Sequence, residues 1–190
     1  MTRTSLMQPL SLPLSLALIV GAAFSLPAKA DTQVVTFNVL NASATLTTPF
    51  NNGDNLRLNT LVTTAVGSLL QSITFTVDAS ATSFSGAAVW EVGTATGIGP
   101  RLVGVNLDIF DASNALVASD TFAGTLAGFA TSTFASTVIG PGTYRLVATG
   151  TGVRDSSLDV TVSFVPEPGA YALMLAGLGV VGLMARRRRA

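Results

Sequence analysis

From Asp31 to Val165 the apolar residues of this chain recur at alternate positions, and turn-forming clusters interrupt them at short intervals. That pattern constrains the fold more than any other feature. A strand sends successive side chains to opposite faces, so a period of two buries one face and wets the other. Val35, Phe37 and Val39 alternate with Thr36 and Asn38, and Leu56, Leu58 and Val62 suggest a second strand. Ile73, Phe75 and Val77 alternate with Thr74 and Thr76, and Ala87 to Val92 carries the single Trp90. Val103, Val105, Leu107 and Ile109 form a strand that turns at Asp111-Ala112-Ser113-Asn114 and returns as Leu116 to Phe122. Phe129 to Ile139 is a weaker strand region. Tyr144, Leu146 and Ala148 begin another, and Leu158, Val160, Val162 and Phe164 make the last. No segment sustains a helical repeat. Eight to ten short strands separated by turns predict an all-β fold, an antiparallel β-sandwich of jelly-roll or Ig-like order, over residues 31–165.

The two ends of the chain break this pattern. In residues 1–30, Arg3 supplies a positive start, Leu10 to Leu26 is an apolar run, and Ala28-Lys29-Ala30 is a small-x-small cleavage signature. This reads as a secretory signal peptide cut after Ala30, which makes Asp31 the mature N-terminus. An uncleaved anchor is the competing reading, and Pro13 argues against it by interrupting the helix. With no Cys the body has no disulfide framework, so stability outside the cell must come from an ordinary core.

Composition removes most catalytic machinery. The chain has no Cys and no His, and its one lysine, Lys29, lies before the expected cut. Ser-His-Asp, Cys-His and Ser-Lys arrangements are therefore absent, as are zinc or copper sites built on His or Cys. No cofactor and no metal are expected. Residues 31–165 hold four arginines against nine acidic residues, an acidic balance unsuited to nucleic acid. What remains is carboxylate chemistry. Glu91 beside Trp90 would suit sugar work only if both faced one site, and strand alternation sends neighbours to opposite faces. Asp108, Asp111, Asn114 and Asp120 gather about one hairpin, where a calcium site competes with plain turn capping. The domain reads as non-enzymatic. Trp90 is the best candidate for sugar contact should the sandwich bind carbohydrate.

The last 25 residues are organised as an address. Pro166-Glu167-Pro168-Gly169 is a rigid, extended motif, because proline fixes φ and denies the ladder a donor. Ala170 to Ala185 follows without a charge, and Arg186, Arg187, Arg188 and Arg189 close the segment. A transmembrane helix over 170–185 spans about 24 Å, somewhat short of the ~30 Å hydrocarbon core. It fits if the arginines snorkel. The positive-inside rule leaves those arginines cytoplasmic and residues 31–165 outside.

Val165-Pro166-Glu167-Pro168-Gly169, the apolar segment and the arginine cluster together resemble the PEP-CTERM sorting signal of Gram-negative bacteria. The resemblance implies that exosortase, a multipass membrane protease, processes the chain, with Pro166, Glu167 and Pro168 as its recognition residues. It further implies an inner-membrane intermediate, then the cell surface or extracellular matrix, among bacteria that make exopolysaccharide and biofilm. The body is similar to the FxDxF group of such proteins in Ser72 to Val77, Pro141 to Leu146 and Leu158 to Phe164. The name-giving Phe-x-Asp-x-Phe is absent here. On this reading the protein is a structural or matrix component associated with exopolysaccharide, and the alternative is a carbohydrate-binding module.

Overall fold

The computed structural model describes residues 30–62, 66–93, 101–165, 175 and 177–179. Ala28, Pro166, Glu167, Pro168 and Arg186 to Arg189 lie outside the described residues. The described residues form eleven strands. They are β1 (Thr32–Phe37), β2 (Asn41–Thr45), β3 (Asn55–Val62), β4 (Gly67–Val77), β5 (Ser83–Glu91), β6 (Leu102–Asp111), β7 (Leu116–Ser119), β8 (Thr121–Leu126), β9 (Phe129–Val138), β10 (Gly142–Gly152) and β11 (Ser156–Val165).

Two sheets divide these strands. The first has the order β1-β3-β11-β5-β9-β8, and the second β2-β4-β10-β6-β7. Both are mixed, which corrects the expectation of purely antiparallel pairing. β1 runs parallel to β3, with Val35 opposite Leu58, and β2 runs parallel to β4, with Ala44 opposite Ile73. The cause lies in the path of the chain. It changes sheet after each of its first three strands, so β3 returns beside β1 in the same direction and β4 beside β2. A parallel pair needs a crossover, and here the intervening strand in the opposite sheet provides it.

The inward faces of both sheets meet in one core. β11 alternates without a fault from Ser156 to Val165, burying Leu158, Val160, Val162 and Phe164. β4 does the same through Leu69, Gln71, Ile73, Phe75 and Val77. Phe50, Phe75 and Phe164 interlock: Phe50 stacks on Phe164 at 4.7 Å, and Phe75 meets both edge-on, at 5.8 Å from Phe50 and 5.7 Å from Phe164. Each buried ring or leucine contributes about 1.5–3 kcal/mol relative to its exposed state. Gly86, in β5, faces the tightest approach, since a Cβ there would lie 2.7 Å from the Thr161 carbonyl oxygen.

Three local departures from the alternation have identifiable causes. In β6, Leu102, Leu107 and Ile109 are buried while Val103 and Val105 are not. The four residues from Val103 to Asn106 oppose only three from Thr149 to Thr151, so a bulge shifts the phase, and Gly104 takes the required left-handed φ of 60°. The expected return strand from Leu116 to Phe122 is two strands, because Asp120 turns the chain out of one sheet into the other. The Asp120 N–H donates to the Leu107 carbonyl and its carboxylate accepts from the Leu107 N–H, both at 2.9 Å, so one residue closes the ladder where β7 stops. β2 has only a weak alternating signature, the small Ala42 and Ala44 that pack against the core. Its residues Asn41 to Thr45 are at least partly exposed and it is an edge strand.

Candidate functional site

The segment that leads into the tail is built from the turn between Phe50 and Asn55. Pro49-Phe50-Asn51-Asn52-Gly53-Asp54 is rich in turn formers, and Gly53 adopts a φ of 90°, where a side chain is strained. Phe50 anchors the turn in the core with no exposed surface. The Asp54 N–H closes the turn on the Asn51 carbonyl at 3.1 Å. Both ends of the domain fasten to this turn.

On one side, the Phe164 N–H donates to the Asp54 carbonyl at 3.0 Å, and the Gly53 N–H donates to the Phe164 carbonyl at 2.8 Å. On the other, the Asp31 N–H donates to Asp54 Oδ1 at 2.8 Å, while the Asn55 N–H donates to the Asp31 carbonyl at 2.8 Å. The second oxygen of Asp54 accepts from the Asn51 N–H at 2.7 Å. Asp54 is 5% exposed. The entry at Asp31 and the exit at Phe164 thus converge on one buried carboxylate and its main chain. The clue that the sequence holds to this role is the single acidic residue closing an Asn-Gly turn.

Past Phe164 the chain has almost no slack. Phe164 is fully buried, and the Val165 carbonyl accepts from the Thr82 N–H and from Ser83 Oγ, both at 3.3 Å. Pro166 is the next residue, so a central strand passes into the Pro-Glu-Pro stretch without a linker. Within the tail, Leu175, Gly177, Leu178 and Gly179 are helical, and Leu175 and Leu178 are exposed. Among the described residues, no helix is long and apolar enough to cross a membrane.

The other candidates have structural occupations. Trp90, the candidate sugar contact, is 4% exposed and belongs to the core cluster. It forms the floor of an apolar recess of about 380 Å³ with Val92, Val103, Val105, Phe122 and Ala130. Glu91 stands 3.0 Å from Arg101 Nε as an ion pair whose Nε–H is not aimed for a hydrogen bond, with both side chains largely covered. Asp111 caps its own turn, accepting from the Ser113 N–H at 2.8 Å, Ser113 Oγ at 2.6 Å and the Ala115 N–H at 2.9 Å. Those donors hold its carboxyl below the ordinary range, the Ser113 hydroxyl contributing most. Asp108 accepts from Asn106 Nδ2 at 2.6 Å, Asn114 accepts from Arg145 at 3.0 Å, and Asp120 turns the corner described above. These four side chains serve the hairpin itself.

Comparison with known proteins bears mainly on the tail. The family model of the PEP-CTERM protein-sorting motif matches residues 164–189. No curated protein matches the sequence. Among solved structures, the chain is similar to the pre-peptidase C-terminal domain of collagenase from Bacillus anthracis. The two are 14% identical with a TM-score of 0.36, over 71% of this chain and 97% of that one, a likeness too distant to bear on function. The matched region opens on Phe164, the residue at which the buried strand ends and the tail begins. The chain carries a PEP-CTERM protein-sorting motif in its tail, and that motif indicates exosortase-dependent sorting to the cell envelope.

Proposed function

We propose that residues 31–165 are a non-catalytic cargo domain, a β-sandwich of jelly-roll order that exosortase processing delivers to the cell surface as a component of an exopolysaccharide matrix. One observation carries the reading: the last core residue, Phe164, stands two positions before Pro166. A cut within Pro-Glu-Pro or beyond it leaves every strand intact, whereas one before Phe164 opens the core. The tail is removable and the domain is not.

The jelly-roll order rests on eight antiparallel strands, β3-β11-β5-β9 facing β4-β10-β6-β7, with β1, β2 and β8 added at the edges. The non-catalytic reading is supported by the occupations of Asp54, Glu91, Asp111 and Asp120, each engaged in turn, corner or ion-pair duty. The outward faces favour a hydrated polymer as neighbour. Ser72, Thr74 and Thr76 of β4 and Ser157, Thr161 and Ser163 of β11 lie on them, half-buried and bearing hydroxyls. The alternative of a sugar-stacking module loses its main support with the burial of Trp90.

Intact-mass analysis of protein recovered from the native host tests the delivery step. A mass ending near Pro166 that disappears on deletion of the exosortase supports it, and a mass ending at Ala190 contradicts it. Fractionation of a strain unable to make exopolysaccharide tests the destination. Release of the protein into the medium is expected, and an unchanged surface fraction removes the matrix role.

A further inference from the structure

The carboxylate of Asp54 has an electrostatic problem that the chain as folded leaves open. Asp54 is 5% exposed, and its oxygens accept from the Asp31 N–H at 2.8 Å, the Asn51 N–H at 2.7 Å and Asn51 Nδ2 at 3.3 Å. All three donors are neutral. Among the described residues, no arginine forms an ion pair with Asp54; Arg57 is committed to Asp159 and Arg101 to Glu91. Buried charges are ordinarily paired, because a solitary one loses its hydration without a Coulombic return. The donor nearest Oδ1 is the nitrogen that the Ala28-Lys29-Ala30 signature marks for release.

We propose that Asp54 is the receptor for the new N-terminus of this chain, and that signal-peptide removal completes an ion pair between the Asp31 α-ammonium and Asp54. The proposal rests on the reading of a cut after Ala30. Hydrolysis breaks the Ala30–Asp31 peptide bond. The hydroxyl of water goes to the Ala30 acyl carbon and its proton to the Asp31 nitrogen, which takes up a second proton at neutral pH. A neutral N–H thereby becomes a cation already placed 2.8 Å from the carboxylate. No strand needs to move, since the Asn55 N–H holds the Asp31 carbonyl and Asp31 Oδ1 accepts from the Thr32 N–H.

The consequence is a maturation latch on an edge strand. β1 is held along one side only, by β3. The cation pins Asp31, the residue before the strand, to the turn that also holds Phe164. The cut adds the attraction between two full charges, weakly screened at a covered carboxylate, to the hydrogen bond that the neutral N–H already makes. The cut chain is therefore more firmly closed than its precursor at the place where the tail departs.

The sequence supplies a clean test. Residues 31–190 contain no lysine, so after the cut the α-amino group is the only primary amine in that span. The full chain, exported and purified from its host, is treated with an amine-acylating ester at fixed pH, and the N-terminal peptide is followed by mass spectrometry. The expected result is an N-terminal Asp31 acylated at least tenfold more slowly in the folded protein than in urea. Asp54→Asn should remove most of that protection. Protein acylated in urea and then refolded provides an arm that needs no variant, and its folding equilibrium should fall about tenfold. A chain beginning at any residue other than Asp31 overturns the cleavage reading and the proposal together. An N-terminal Asp31 that reacts equally fast folded and unfolded overturns the ion pair alone.

Discussion

Thr60 Oγ1 donates a 2.7 Å hydrogen bond to Gln71 Oε1 across the core, joining the first sheet to the second through two buried polar side chains. Gln71 Nε2 donates in turn to the Val39 carbonyl at 2.8 Å, so the same side chain secures the connection between β1 and β2. Unmaking one partner of a buried hydrogen bond costs more than the bond returned, because the other is left desolvated. Thr60→Val keeps the shape and strands Gln71 Oε1. A loss of about 1–3 kcal/mol is expected in urea unfolding. No change would mean that water replaces the hydroxyl.

Phe164 and Glu167 lie three residues apart and should fail in opposite ways. Phe164→Ala removes a ring that packs on Phe50 and Phe75, and a loss of about 3–5 kcal/mol is expected. Glu167→Ala should leave the melting temperature unchanged and block removal of the tail, read as a chain of full C-terminal mass. Reversal of these two outcomes would place the domain boundary elsewhere.

Gly86→Ala tests the closest approach in the first sheet. The added methyl would meet the Thr161 carbonyl oxygen at 2.7 Å and the Phe134 ring at 3.0 Å. Main chain on a central strand cannot yield cheaply, and overpacking of this kind costs about 1–3 kcal/mol. Gly140→Ala is the control, since nothing lies within 4 Å of its Cβ position. Equal stability of the two variants would contradict the packing described.

Asp111 makes part of the stability depend on acid. Its folded-state pKa lies below its ordinary value because Ser113 and Ala115 donate to the charged form. A depressed carboxylate contributes fully above its ordinary pKa, and the contribution is lost as pH falls through about 4 towards the folded-state value. Asp111→Asn should therefore be less stable than wild type at pH 7, with the gap narrowing at low pH, below the ordinary carboxylate value of about 4. A gap that persists unchanged at low pH would assign the effect to the amide's geometry and not to the charge. Urea midpoints at the two pH values decide it.

The alternation was legible because it is local. Val35, Phe37, Leu56, Leu58, Ile73, Phe75, Leu158 and Phe164 are buried as their spacing requires. Gln71 was not legible: it continues the inward series of Leu69, Ile73 and Phe75, yet polarity disguised it as a residue outside the strand. β2 escaped for the converse reason, since its alternating apolar residues are only the small Ala42 and Ala44. Trp90 looked available because an aromatic residue carries no mark of which face it takes. Two sheets closing over it made it core.

By itself, the sequence determined that this chain is a β domain followed by a sorting tail, because hydropathy period and Pro-Glu-Pro motif are both written in neighbouring residues. The tertiary structure alone decided how the strands associate. β1 lies parallel to β3 since the chain crosses between sheets, and no neighbouring residue records a pairing across 23 positions. It also decided that Asp31, Asp54 and Phe164 meet. Their separations in sequence carry no trace of that contact, which exists only once β1, β3 and β11 share a sheet.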